Sequence, residues 1–191
     1  QEFQEEKLIS IFNSKMAIYK SHFTEKQFET YTYEGIRSLS GFLKKYLPEW
    51  KGVLKMDMEY KIKNLYRGVP IAGQIDRIDE ISNGYRVIDY KTGKVDKANV
   101  TLKTWNGLTE DIKNDKIIQV LAYAFMYESQ TNGIPVEAGI ISFKNLKSGF
   151  LPFTFKDDKE EFKNITSDIL HNYIAEIVIL IQEILDESQP F

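Results

Sequence analysis

Two short runs of apolar and acidic residues on either side of Asn83-Gly84 constrain this chain more than anything else in it. The first is Gly73-Gln-Ile-Asp-Arg-Ile-Asp79 and the second Tyr85-Arg-Val-Ile-Asp-Tyr-Lys-Thr-Gly93. Each reads as a strand. Asn-Gly, whose two residues both tolerate positive φ, predicts a tight hairpin turn between them. An antiparallel pair joined in this way brings Asp76 and Asp89 side by side, although they are distant in sequence. Asp89 and Lys91 are two apart on one strand and therefore share a face. Two carboxylates and one ammonium converge at a strand end, the arrangement that a hard divalent cation and an activated water require.

The flanking segments supply the rest of a core. Leu8, Ile11, Phe12, Ile18 and Tyr19 punctuate a charged segment and predict an amphipathic helix over 2–20. Thr24-Glu-Lys-Gln27 is a capping box opening a helix to about 47. Its stripe is Phe28, Tyr31, Ile36, Leu39, Phe42, Leu43 and Tyr46, and Pro48 stops it. Partial alternation over 53–63 predicts a strand that turns at Arg67-Gly68 into the next, 69–80. With 85–91 these make a three-stranded meander. Residues 92–114 lack periodicity and read as a loop carrying Lys94, Lys97, Lys103 and Lys113. A helix over 115–130, closed by Asn132-Gly133, is apolar all round and predicts packing on a sheet face. Val136–Lys144 and Phe150–Phe155 read as two strands, and Ile165 to Ile184 as a long helix ending near 186. The order predicts an α/β fold with a mixed β-sheet of about five strands flanked by helices. A single domain spans 1–191: a helical part over 1–50, the sheet and site core over 53–155, and a C-terminal helix over 158–186.

Composition removes several classes of function. The chain has 191 residues and a net charge of −3, so it has no bulk attraction to nucleic acid. A nucleic-acid enzyme built from it must rely on a local basic face and on bound metal. There is no cysteine, which removes disulfides, thiolate zinc and cysteine nucleophiles. No apolar run is long enough to span a membrane and no signal peptide opens the chain, so no membrane role is expected and the cytoplasm is the default. A small-molecule enzyme with an acidic metal site is a further class, but no glycine-rich phosphate loop supports it.

The Gly73–Asp79 motif, Asp89-Tyr90-Lys91-Thr92-Gly93 and the Gln119/Tyr123 pair occur in an order and spacing that resembles the PD-(D/E)XK nuclease superfamily. Within it they are similar to the RecB/AddB-like exonuclease domains. The motifs cover roughly residues 55–130. The resemblance implies a restriction-endonuclease-like core and a Mg²⁺-dependent deoxyribonuclease in which Mn²⁺ substitutes. It implies an exonuclease hydrolysing DNA in repair and recombination, within or beside a helicase. In that reading Asp76, Asp89 and the main-chain carbonyl of Tyr90 hold the metal, and Lys91 is catalytic. Gln119 and Tyr123 then lie beside the site, touching the DNA backbone or holding Lys91.

Other residues carry weaker signals. Glu59, on the preceding strand, is either an added carboxylate near the metal or a solvated side chain. Lys94, the other loop lysines, Lys144 and Lys147 are candidate DNA-backbone contacts. Alternation sends Arg77 and Asp79 to the face opposite Asp76, where ion pairing is their expected role. The resemblance also implies an upstream histidine ligand. The early histidine here is His22, which reads more readily as a partly buried side chain, and His171 is a weaker candidate still. Relatives of this kind often carry a cysteine-ligated iron–sulfur cluster, which is not possible within this chain. The resemblance therefore implies an excised core or a cluster-free member. Without metal chemistry, Asp76 would pair with Arg77 or Lys91, Asp89 would be a solvated strand end, and Gln119 would bridge helix to strand. The corresponding alternative function is a catalytically inactive DNA- or partner-binding module of a helicase–nuclease assembly.

Overall fold

A computed structural model of the chain describes residues 5–66, 69–128, 136–157 and 160–188. The expected turn at Arg67-Gly68 and the expected helix stop at Asn132-Gly133 lie outside the described residues. Two helices open the chain, α1 (Glu5–Ile18) and α2 (Glu25–Tyr46), followed by a meander of β1 (Val53–Tyr66), β2 (Val69–Ile81) and β3 (Gly84–Lys91). After a short β4 (Thr101–Leu102) come α3 (Asp115–Glu128) and β5 (Val136–Ser142). Then follow β6 (Phe150–Pro152), β7 (Thr154–Lys156), β8 (Glu161–Phe162) and α4 (Ser167–Leu185).

The main sheet has the order β1-β2-β3-β5-β6. Only β3 and β5 run parallel, and α3 provides the crossover between them; the other pairs are antiparallel. This is the expected mixed sheet flanked by helices. Alternation along β3 divides the core. Val87 faces the larger cluster, with Ile78, Leu121, Ala124 and Ile140. Ile88 faces a second cluster with Phe42, Tyr46 and Ile141. So α3 covers one sheet face and the C-terminal end of α2 the other.

The β1–β2 ribbon is irregular near the middle of its length. Ile75 and Ile78 are three residues apart, yet both belong to the core on the α3 side. Regular alternation would put them on opposite faces. The pleat changes phase between them without a slip in register, since Met58↔Arg77 and Tyr60↔Ile75 flank the change. Glu59 sits at that point with φ of 50°, the positive-φ residue other than glycine among those described. Left-handed backbone costs a side-chain-bearing residue about 1–2 kcal/mol, so the surrounding strands must impose it.

Several expectations change. Phe150–Phe155 is not one strand. It breaks at the buried Phe153, whose N–H donates to the Ala138 carbonyl at 2.8 Å while the chain leaves the main sheet. Its second half joins the small sheet β4-β7-β8. Pro152, which has no N–H to give a further strand, ends β6 at the sheet edge. The segment 92–114 is more ordered than its lack of periodicity implies. It holds β4 and short 3₁₀ turns at Lys97–Val100 and Ile112–Asn114, pinned by buried Val95, Val100, Leu102 and Leu108. The hairpin loop is Ser82-Asn83, and Gly84 already pairs with Ile81 as the first residue of β3. Only Gly84 of the two takes positive φ.

The predicted stripe of α2 is buried only at Phe42, Leu43 and Tyr46, and α1 buries no residue. Amphipathic spacing records a capacity to bury a face, and here the sheet reaches only the last turns of α2. The capping box is present: Thr24 Oγ1 accepts from the Gln27 N–H, and Gln27 Oε1 accepts from the Thr24 N–H.

Candidate active site

The β2–β3 ladder runs from Ile81↔Gly84 to Arg77↔Ile88 and stops there. The next positions in line are Asp76 and Asp89. In an antiparallel pair, directly opposed side chains lie on one face, here the face that α3 covers. The strands part at this point because a side chain takes a backbone partner's place: the Tyr90 N–H donates to Asp76 Oδ2 at 2.8 Å. The same substitution fixes the Asp76 carboxylate against the strand that carries Asp89 and Lys91. Neither Arg77 nor Lys91 pairs with Asp76; both have other partners.

Asp89 is only 3% exposed, and its Oδ2 has no hydrogen-bond partner. It is not the solvated strand end that the bland reading of the sequence allowed. Lys91 Nζ lies 2.9 Å from that oxygen as an ion-pair contact, while the hydrogen bond of the ammonium goes to Gln119 Oε1 at 2.6 Å. Burial pushes the Asp89 carboxyl above the ordinary carboxylate range. Lys91 opposes the shift and the nearby charge of Asp76 adds to it. Two carboxylates thus share a poorly solvated corner with a single ammonium.

Helix α3 supplies the third wall. Gln119 and Tyr123 are one turn apart and face the same way. Gln119 Nε2 donates to Tyr123 Oη at 3.2 Å, which sets the amide so that Oε1 faces Lys91. The helix can sit this low because of Gly73: a Cβ there would lie 2.9 Å from Met126 Cε and 3.3 Å from Tyr123 Cε1. The first glycine of the motif is therefore a close-approach position, and it couples β2 to the helix that holds Lys91.

On the opposite face, Arg77 and Asp79 form a two-pronged pair, Nε to Oδ1 at 2.6 Å and Nη2 to Oδ2 at 2.7 Å. Arg77 also donates to Tyr90 Oη at 3.2 Å and stacks its guanidinium over Trp50, 5.0 Å from the ring centroid. Tyr90 thus bridges the faces, its backbone holding Asp76 and its ring meeting Arg77.

Sequence reasoning missed a clamp beyond Lys91. Ser142, fully buried at the end of β5, donates to the Gly93 carbonyl at 2.7 Å and accepts from the N–H groups of Val95 and Asn145. Asn145 Nδ2 donates to the Val95 carbonyl at 2.9 Å. Together they anchor the turn after Asp89-Tyr90-Lys91. The signal available was a serine closing the apolar run Ala138–Ile141, with an asparagine three residues further on.

Other candidates fall outside this corner. Glu59 is exposed, opposite Asp76 in register but on left-handed backbone. Lys94 is exposed and paired with Asp96 at 3.0 Å. His22 is exposed at the α1–α2 corner rather than partly buried, and His171 is exposed on α4. Among the described residues no group of three or more His, Asp or Glu is poised to hold a metal. The donor set is the two carboxylates. A divalent cation fits them, because it would offset the charge that burial makes costly at Asp89, which Lys91 opposes only in part. No helix among the described residues is long and apolar enough to cross a membrane.

Comparison with known proteins adds the family. Among curated proteins none matches the chain. Of solved structures, a candidate exonuclease from Eubacterium rectale is similar at 12% identity and a TM-score of 0.47, over 97% of this chain and 68% of that one. SSO0001 is similar at 17% identity and a TM-score of 0.30, over 86% of this chain and 70% of that one. The model of one family matches residues 6–191, from the first turn of α1 to the last residue of the chain. The chain belongs to the PD-(D/E)XK nuclease superfamily.

Proposed function

We propose that the chain is a metal-dependent deoxyribonuclease of the RecB/AddB-like kind, an exonuclease acting in DNA repair and recombination beside a helicase. The observation that carries the chemistry is the meeting of Asp76, Asp89 and Lys91 at the parted end of β2 and β3, with an ammonium between a buried carboxylate and an oriented amide. Asp76, Asp89 and the main-chain carbonyl of Tyr90 are the residues that would hold Mg²⁺ or Mn²⁺. Such a cation supplies acidification of water and shielding of the phosphate. The chain's own groups do the rest. Asp76 is held in place by the Tyr90 N–H, and Asp89 is held beside the Lys91 ammonium. Lys91 is aimed by Gln119 to orient the attacking water and to offset charge growing on the phosphate. Tyr123 keeps the Gln119 amide from turning, so this pair acts through Lys91 as positioning residues.

The test is cleavage of end-labelled linear DNA with Mg²⁺ or Mn²⁺. Wild type cuts. Lys91→Ala loses about 10²–10⁴-fold in rate while a thermal melt shows it still folded at the assay temperature. A wild-type chain that binds DNA yet never cuts it with either metal is a binding module of a larger assembly instead.

A further inference from the structure

The chain's cations are not equally available. Of the four lysines in the 92–114 loop, three are already paired: Lys94 with Asp96, Lys97 with Glu161 and Lys113 with Asp111. Exposed pairs of this kind add little stability, but they cancel the local field that would attract a polyanion. A groove of about 500 Å³ on the α2 side of the sheet is different. Arg37 and Ser38 of α2 line one wall, and Lys144 and Lys147 in the turn after β5 line the other, with Phe143 between. None of the three cations has a carboxylate partner among the described residues, although Glu34 also lines the groove.

The groove lies behind the catalytic corner, on the other face of the sheet, and the two share backbone. The Phe143 N–H donates to the Lys91 carbonyl at 2.9 Å, and the Phe143 ring lies 5.8 Å from that of Tyr90, whose own N–H holds Asp76. The clamp of Ser142 and Asn145 fixes this turn against the segment after Lys91. Position and charge here depend on the same backbone.

We infer that this groove, on the face of the sheet behind the catalytic corner, binds the sugar–phosphate backbone of a nucleic-acid strand, with Arg37, Lys144 and Lys147 as phosphate contacts. The paired loop lysines take no part. The inference rests on the proposed nuclease reading, and it is tested by binding so that the two can fail separately.

The probe is a fluorescein-labelled single-stranded DNA oligonucleotide, followed by anisotropy in EDTA across a salt series. Lys144→Ala with Lys147→Ala should weaken binding and lower the slope of log Kd against log salt by about 1.4, the share of two phosphate contacts on a single strand. Arg37→Ala should lower it by about 0.7. Lys97→Ala with Lys113→Ala should change neither quantity. All five positions are exposed, and thermal melts report the folding of each variant. Hydrolysis of bis(p-nitrophenyl) phosphate with Mn²⁺, which needs no groove, should survive in the groove variants. Wild-type affinity and slope in the groove variants overturn the inference, as does equal loss in the loop variants. If the groove variants lose binding but wild type hydrolyses neither substrate, the groove stands and the nuclease reading falls.

Discussion

Asp79 and Asp89 are both almost wholly buried on the same hairpin, on opposite faces of the sheet, and their surroundings could hardly differ more. Asp79 has both oxygens held by Arg77, which is itself capped by the Trp50 ring and the Tyr90 hydroxyl. Asp89 is met by one ammonium, that of Lys91, which it shares with Gln119. The first is a closed electrostatic unit and the second an open one. A buried charge whose partners are complete serves the scaffold. One whose partners are incomplete costs stability and persists only where something else uses it. The motif Gly73–Asp79 thus contains both halves of the design, Asp76 for the site and the Arg77–Asp79 pair for its support.

The difference can be broken from either side. Arg77→Ala should have the larger effect. It leaves Asp79 buried and uncompensated, and unfolding in urea should show a loss of about 3–5 kcal/mol. Replacing both partners, Arg77→Met with Asp79→Leu, should recover most of that loss, because no charge is then stranded. If Arg77→Ala melts like wild type, the pair does not support the scaffold.

Asp89→Asn should act in the opposite direction. Burial raises the Asp89 pKa, so its ionised form costs stability above that pKa. The cost disappears at pH values where the group is protonated in both folded and unfolded chains. In EDTA at neutral pH the Asn variant should melt higher, by about 2–4 °C if the gain is near 1 kcal/mol, and the two should converge as pH falls below the ordinary carboxylate range. The same variant should lose the stabilisation that Mn²⁺ gives wild type. A lower melting temperature for Asp89→Asn in EDTA would mean that the corner is as closed as its opposite.

The smallest effect is expected at Glu59. Glu59→Gly removes left-handed strain but adds chain entropy, for a net gain below about 1 kcal/mol. Glu59→Val, β-branched on left-handed backbone, should lose more than that gain in the same urea titration. A stable Val variant would show that the phase change of the ribbon does not depend on this residue.

Much of this was open to reading from spacing alone. The meander, the crossover helix and the shared face of Asp89 and Lys91 follow from periods of 2 and 3.6, which local chain geometry imposes. The Gln119–Tyr123 pair is legible as two polar tips one helical turn apart. Its grip on Lys91 is not, because that depends on how low α3 sits over Gly73. The loop lysines looked like a basic face until their acidic neighbours, Glu161 among them across a long stretch of chain, came into place. Likewise, the stripes on α1 and the first turns of α2 could not reveal that no sheet reaches them.

Local chemistry by itself determined the meander strands, the hairpin and which side chains could share a face, since those depend on neighbours a few residues away. Tertiary structure alone decided that β2 and β3 part at Asp76, that the ribbon changes phase at Glu59, and that Asp79 is satisfied while Asp89 is left open. Each of these depends on which distant group arrives to occupy a hydrogen-bonding position, and periodicity along a chain carries no record of that.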